Sequence, residues 1–235
     1  PNGKLHAFCH AVPGKWHVMG VMLSAAGSFQ WYKNQFGMEE QRIEKEGGAN
    51  AYETLTKEAQ QVIAGSEGLF FLPYLSGERT PHPDPYARGC FIGMSLRHQK
   101  KHHTRAVLEG VSYGLNDSLS ILKELGVNPN EIILSGGGSR SALWKQMLAD
   151  IFATPCAMVN ALEGAAYGAA ILAAVGVGGF GTVQEACSSF IQKIETVDPG
   201  PNLETYKRNY PIYKSLYPSL KAQFAKIAES NALNS

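Results

Sequence analysis

A run of three glycines between a strand-like segment and a helix-like segment limits the possible folds most strongly. Residues 131–134 are mainly branched and apolar, residues 136–138 are all glycine, and residues 142–152 carry apolar side chains at helical spacing. A second strand-like segment at 155–159 and a helix-like segment at 164–175 repeat the alternation. Alternating strands and helices are typical of α/β domains, in which helices cover the faces of a sheet.

The segments before this alternation predict three further strands. Residues 5–11 and 16–22 are rich in Phe, Val, Trp and Met and flank Pro13-Gly14, so they predict a β-hairpin. Residues 89–94 predict the third strand. Helices are predicted at 24–36, 50–63 and 102–125, an irregular charged segment at 39–48, and a proline-rich loop at 76–88. The whole pattern predicts one α/β domain with a mixed sheet flanked by helices.

The charge, the longest apolar stretch and the cysteines exclude several classes of protein. The net charge is only +1, which gives no argument for binding to nucleic acid or to a membrane surface. The apolar stretch at 161–177 is interrupted by a glutamate and by glycines, so no membrane span is expected. The four cysteines are far apart and lack metal-ligand spacing. They predict free thiols in a cytoplasmic protein without a metal site.

The glycine run also suggests a binding site. Glycine has no Cβ, so a ligand can approach the backbone closely, and the following helix start offers free N–H groups to phosphates. The segment is not a P-loop, because no Gly-Lys-Ser/Thr follows, and Ser141 stands where a dinucleotide fingerprint would have its last glycine. By itself the segment leaves open both a nucleotide site and a tight turn without a ligand.

Several segments resemble one enzyme family. Residues 136–156 are similar to the second-domain nucleotide-binding segment of the carbohydrate kinases named for their Phe-Gly-Gly-Tyr motif. Residues 89–94 and 102–109 resemble that family's C-terminal signature, although His103 stands where the signature has an aliphatic residue. Residues 72–85 and 10–17 are similar to the xylulose kinases within the family. The resemblance spans about residues 5–220.

The resemblance implies an actin/hexokinase-like (ribonuclease H-like) domain with a mixed sheet flanked by helices. It implies a two-domain kinase that binds ATP with Mg²⁺ between its domains and transfers the γ-phosphate to O5 of D-xylulose. Residues 1–235 correspond to the C-terminal nucleotide-binding domain. The catalytic aspartate belongs to the family's N-terminal domain, which this chain does not match, so no catalytic residue is assigned here and the isolated chain is expected to be inactive.

Alternative functions remain open at this point. The sugar could be gluconate, ribulose or glycerol, since these are substrates of the same family. A non-catalytic, actin-like ATP-binding module is the alternative from a different class. The expected partners are ATP or ADP, D-xylulose and the N-terminal domain. A second copy of the chain is a further candidate, because apolar surface left uncovered by the N-terminal domain could form a homodimer.

The resemblance also implies individual site residues. On the nucleotide side these are Ala26, Gln30, Gly137, Gly138 and Ser141. Ser141 is shorter than the asparagine frequent in the family, and Gln30 could equally be a solvated helix residue.

On the sugar side, a forked donor, a titrating imidazole and a carboxylate occur in the 76–88 loop, at Arg79, His82 and Glu78. The alternative is that Glu78 and Arg79 pin this loop, or meet the other domain, through an ion pair. The histidines at 98, 102 and 103 are expected to form a solvated helix start rather than a metal site.

Overall fold

The computed structural model describes residues 5–161 and 164–232. The strands are β1 (His6–Cys9), β2 (Trp16–Met19), β3 (Phe70–Leu72), β4 (Cys90–Ile92), β5 (Ile132–Leu134), β6 (Cys156–Val159) and β7 (Lys193–Val197). The helices are α1 (Ala25–Phe36), α2 (Met38–Lys45), α3 (Ala51–Ala59), α4 (Lys100–Glu124), α5 (Ala142–Phe152), α6 (Gly164–Gly176), α7 (Val183–Phe190) and α8 (Leu203–Ala232).

A mixed sheet is present, as the sequence predicts, and it is built from the second half of the chain. Strand β6 lies in the centre, parallel to β5 and antiparallel to β7. The two opening strands form their own antiparallel hairpin, with Ala7 opposite Val18. The strand predicted at residues 89–94 is β4. It pairs antiparallel with β3 in a separate two-stranded sheet, with Phe71 opposite Phe91. The described strands therefore form three small sheets, not one continuous sheet.

Helix α4 forms the centre of the core. It contacts α1, α3, β3 and α5, and most of its side chains from His102 to Ile121 are buried. Its contact with β3 is close, because a Cβ built on Gly110 would lie 2.2 Å from the carbonyl oxygen of Phe71. No real Cβ tolerates that distance, so glycine at this position allows the helix backbone to rest on the strand.

A buried polar network joins α4 to two distant parts of the chain. The Arg105 guanidinium donates to Glu109 Oε1 at 2.8 Å, to the Val62 carbonyl at 2.8 Å and to the Tyr206 hydroxyl at 2.8 Å. Glu109 also accepts from the Ser66 hydroxyl at 2.8 Å. Arg105 and Glu109 are each less than 5% exposed. Buried charges require such partners, and here they fix the end of α3 and the start of α8 against α4.

Three parts of the chain differ from the sequence prediction. The charged segment expected to be irregular contains α2, which Arg42 stabilises by ion pairs with Glu39 and Glu46 on the helix surface. Helix α3 ends at Ala59, earlier than predicted. Helix α7 and strand β7 were not predicted, and β7 has a largely exposed, polar sequence that lacks the usual apolar signal of a strand.

The aromatic stripe near the end of the chain packs on the core. The four most enclosed members lie on α8 and are each at most 6% exposed: Tyr206, Tyr213, Tyr217 and Phe224. These side chains therefore form part of the hydrophobic core. Across residues 5–161 and 164–232, no helix has both the length and the apolar character needed to cross a membrane.

Candidate functional site

The five residues proposed for the nucleotide side lie around one cleft. The cleft has a volume of about 560 Å³ and is bounded by α1, the start of α3 and the glycine turn before α5. Its lining includes Ala26, Gln30, Gly137, Gly138 and Ser141. The structure thus brings together residues that are more than a hundred positions apart in the sequence. Their contact with a nucleotide stays a prediction.

The glycine turn gives the cleft an open wall of backbone and a helix start. Gly136 has φ +81°, a conformation that favours glycine, and the turn then continues as a 3₁₀ helix over Gly137–Arg140. Ser141 is the N-cap of α5, and its hydroxyl oxygen accepts from the Trp144 backbone N–H at 3.3 Å. A Cβ on Gly137 would meet no atom within 4 Å. A ligand can therefore approach the turn and the positive end of the helix.

The side chain of Trp144 packs against the glycine turn. Its ring lies 3.0 Å from the position of a Cβ on Gly138, and it packs edge-on against Phe29 with ring centroids 6.0 Å apart. The indole N–H donates to Ser112 on α4 at 3.0 Å. These contacts hold the Trp144 ring against the glycine turn.

The opposite wall contains residues that the sequence did not identify as site residues. Asn50 caps α3 by accepting the backbone N–H groups of Tyr52 and Glu53. The lining from this wall comprises Asn50, Tyr52, Glu53 and Thr56. The sequence predicts a helix that begins at Asn50, but no sequence signal showed that the start of this helix faces the glycine turn.

The chemistry of the cleft favours binding. Its polar groups are the Ser141 hydroxyl, the Gln30 amide, the Arg140 guanidinium and the backbone of the turn, beside the aromatic ring of Tyr52. Arg140 is exposed and has the charge that a phosphate requires. Glu53 provides one carboxylate. Such a set can hold a polar, anionic ligand with an aromatic ring.

The three sugar-side candidates lie outside this cleft. Glu78 is only 4% exposed, and its Oε1 accepts the backbone N–H groups of Leu23 at 3.1 Å and Arg79 at 2.7 Å. Burial is the main reason that the pKa of Glu78 is raised. Glu78 therefore pins the 76–88 loop through backbone hydrogen bonds, not through an ion pair with the exposed Arg79 guanidinium.

His82 packs against the C-terminal helix. Its ring stacks on Tyr217 with centroids 3.8 Å apart, and the Tyr217 hydroxyl donates to Asp84 Oδ2 at 2.8 Å. The loop that carries the sugar-side candidates is thus attached to α8. A role of Glu78, Arg79 and His82 in sugar binding stays a prediction.

The start of α4 is not the fully solvated cluster that the sequence predicted. His102 is 6% exposed, and its Nδ1 accepts the backbone N–H of Gln99 at 3.0 Å, which caps the helix. The expectation was wrong for His102, because helix capping draws its ring inward. Among the residues described, no three His, Cys, Asp or Glu side chains are grouped so that they could hold a metal ion.

Comparison with known proteins identifies the family. Residues 2–177 match the FGGY family of carbohydrate kinases, C-terminal domain. The chain belongs to the FGGY family of carbohydrate kinases.

Relatives and solved structures agree with this assignment. A xylulose kinase of Staphylococcus epidermidis is 39% identical over 94% of this chain and 42% of its own length. A xylulose kinase of Bacillus subtilis is 36% identical, with the same two coverages of 94% and 42%. The ligand-bound xylulose kinase of Lactobacillus acidophilus superposes with a TM-score of 0.82 at 29% identity, over 97% of this chain and 44% of that one.

These relatives also confirm the fold class, the actin/hexokinase-like fold with a mixed sheet flanked by helices. The chain spans less than half the length of the curated relatives it matches. The part of the FGGY kinases that it matches is their C-terminal domain.

Proposed function

We propose that this chain is the ATP-binding half of a kinase that converts D-xylulose and ATP to D-xylulose 5-phosphate and ADP. The observation that carries the proposal is the cleft at the glycine turn, since residues from α1, the turn and the start of α5 converge there. The substrate is proposed from the relatives, several of which are named xylulose kinase at 36% to 44% identity.

The proposed role of the cleft is to position the donor. The backbone of the Gly137–Gly138 turn would lie against the adenosine, and Gln30 and Ser141 would donate hydrogen bonds to its polar edges. Arg140 would meet the phosphates. Holding the γ-phosphate in line with the sugar hydroxyl supplies much of the rate in such reactions, because little covalent chemistry is left to the protein.

The proposed proton acceptor lies in an N-terminal domain. Within the cleft, Glu53 is the carboxylate that the described chain provides, and its helix faces the nucleotide side. We therefore assign no catalytic base to residues 1–235. Mg²⁺ neutralises phosphate charge in such kinases, and we propose that it arrives with the nucleotide, because the described residues offer no three-ligand group to hold it.

An uncovered apolar surface is consistent with docking of that second domain. The β1–β2 hairpin exposes Phe8, Trp16 and Val18, with exposed fractions of 43%, 68% and 46%. We propose that the N-terminal domain, rather than a second copy of this chain, meets the molecule on its exposed apolar side. The thiols of the four cysteines are free, which suits the proposed cytoplasmic location.

Steady-state kinetics of the two-domain kinase test the proposal. Sequencing the gene upstream of Pro1 would first show whether an N-terminal half is encoded. In the two-domain enzyme, Gln30→Ala and Ser141→Ala are each expected to raise the KM for ATP about tenfold and to leave the KM for D-xylulose unchanged. Asn34→Ala, an exposed change one turn along α1, is the matched control. Equal effects on both KM values would contradict the assignment of the cleft to ATP.

A second sugar has direct support. A gluconokinase of Bacillus subtilis is 34% identical over 94% of this chain, and the gluconate kinase of Lactobacillus acidophilus superposes with a TM-score of 0.79. A substrate panel of D-xylulose, gluconate, D-ribulose and glycerol separates the two proposals. Preference for gluconate by kcat/KM would replace the sugar and leave the ATP cleft in place.

A further inference from the structure

The first turn of α1 lacks the usual stabilisation of a helix start. Its residues 25–28 are Ala, Ala, Gly and Ser, so no acidic side chain of its own lies at the positive end of the helix. In the described part of the chain, the N-cap residue Ser24 makes no capping hydrogen bond with its side chain. Yet Ala26 in this turn and Gln30 in the next both line the nucleotide-side cleft. The start of α1 therefore depends on groups outside the helix.

The 76–88 loop supplies two of these groups. The side-chain Oε1 of Glu78 accepts the backbone N–H of Leu23, the residue before the N-cap, at 3.1 Å. The Ser76 hydroxyl shares a hydrogen bond with the Ser24 hydroxyl at 2.7 Å. The loop thus holds both residues that lead directly into α1, although it lies more than fifty positions later in the chain.

Thr80 extends the same attachment. Its hydroxyl oxygen accepts the backbone N–H of Val21 at 3.0 Å, and its own backbone N–H donates to the Val21 carbonyl at 2.9 Å. Every second residue of the loop from 76 to 80 therefore contacts the segment 21–24. We call Ser76, Glu78 and Thr80 the anchor residues.

Glu78 supplies charge as well as a hydrogen-bond acceptor. It is buried, and its bond to Leu23 places the carboxylate beside the positive end of α1. A negative charge in this position stabilises a helix, and burial strengthens the interaction because less water screens it. The same Oε1 accepts the Arg79 backbone N–H at 2.7 Å, so the carboxylate is fixed to its own loop as well.

Packing already fixes the later turns of α1. Phe29 and Tyr32 are buried, and the Tyr32 hydroxyl donates to the Lys100 carbonyl at the start of α4 at 3.1 Å. Residues 25–28 have only small side chains, so packing restrains the first turn less. The anchor residues therefore act mainly on this turn.

We propose that Glu78, with the other two anchor residues, is a positioning residue for the nucleotide cleft: it holds the first turn of α1 and so keeps Ala26 and Gln30 at the cleft. This inference rests on the proposed function of the cleft. A small displacement of a binding group can cost much of its contribution, so loss of the anchor should weaken the donor site without removing any group that touches the nucleotide. The loop predicted to serve the sugar side would then also shape the nucleotide side.

Hydrogen exchange in the 235-residue chain tests the structural step. Glu78→Ala is expected to speed amide exchange about tenfold in peptides covering residues 20–30 and to leave exchange in α5 unchanged. Tyr217→Phe is the matched control, because it removes a hydrogen bond that holds the same loop to α8, at Asp84. No local increase in Glu78→Ala, or an equal increase in Tyr217→Phe, would overturn the proposal.

Kinetics of the proposed two-domain enzyme test the functional step. Gln30→Ala is expected to raise the KM for ATP about tenfold, and Glu78→Ala about fivefold. Because Glu78 acts through α1, the double variant should show a rise of about tenfold, whereas independent residues would give about fiftyfold. A purely structural loss would lower the fraction of active enzyme, and thus kcat, and leave the KM unchanged. Tyr217→Phe should keep the wild-type KM for ATP.

Two milder variants complete the test. The amide oxygen in Glu78→Gln still accepts from Leu23, so the KM for ATP should rise only about twofold. Ser76→Ala should raise this KM about threefold, and its combination with Gln30→Ala should again fall below the product of the single effects. If Glu78→Ala does not fold, Ser76→Ala replaces it in both experiments.

The outcomes separate this inference from the proposed function. Fully multiplicative effects with Gln30→Ala, or an unchanged KM for ATP in both Glu78→Ala and Ser76→Ala, would overturn the positioning role and leave the ATP cleft in place. An unchanged KM for ATP in Gln30→Ala would instead reject the proposed function of the cleft, and this inference with it.

Discussion

Replacement of Asp117 by asparagine should stabilise the protein at neutral pH and not at acidic pH. Burial raises the pKa of Asp117 from 3.8 to about 6, and the Tyr210 hydrogen bond offsets only part of this effect. The folded state therefore holds the proton more tightly than the unfolded state. Between these two pKa values the stability of the fold falls as the pH rises, because folding then requires an ionised carboxylate to be buried.

The magnitude follows from the shift. A rise of roughly two pKa units, each worth about 1.4 kcal/mol, costs the fold about 3 kcal/mol well above pH 6. About half of this cost, near 1.5 kcal/mol, develops between pH 5 and pH 7.5. The amide introduced by Asp117→Asn cannot ionise but keeps an oxygen that accepts from Tyr210, so the variant escapes the cost.

Urea unfolding of both proteins measures the difference. The free energy of unfolding of Asp117→Asn minus that of the wild type should increase by about 1.5 kcal/mol from pH 5 to pH 7.5. Parallel pH profiles for the two proteins would refute the reasoning.

Three further predictions concern the cleft and the buried network. Gly138→Ala presses a methyl group on the Trp144 ring and should cost about 1–3 kcal/mol in urea unfolding. The methyl group of Gly137→Ala meets no protein atom within 4 Å, so this variant should keep the wild-type free energy of unfolding. It should weaken ATP binding in calorimetric titration of the proposed two-domain enzyme. A stability loss as large as that of Gly138→Ala would contradict this contrast. Arg105→Met leaves the Glu109 carboxylate buried without its partner and should cost about 3–5 kcal/mol in the same urea assay. A cost near zero would show that Glu109 is protonated.

The glycine turn and the helix after it could be predicted because their signals are local. Gly136 requires a conformation that favours glycine, Ser141 is a typical N-cap, and the apolar residues of α5 repeat at helical spacing. The resemblance to a known family then linked Gln30 to this turn. In the structure, all five residues that the sequence predicts for the nucleotide side line one cleft.

The other wall of the cleft could not be predicted because it depends on tertiary packing. Tyr52 meets Phe29, which in turn meets Trp144, so the start of α3 reaches the turn through a chain of aromatic contacts. Nothing near Asn50 in the sequence encodes that contact. The direction of Glu78 is a similar case, since a polar loop does not show which of its carboxylates points inward.

The position of Tyr206 in the Arg105 network has a consequence for synthesis of the protein. One N–H group of the guanidinium on α4 donates to a hydroxyl that lies 101 positions later in the chain. A nascent polypeptide that has not yet released α8 from the ribosome still lacks this hydroxyl and the aromatic cover that enclose the ion pair. Completion of this part of the core therefore waits for translation of α8.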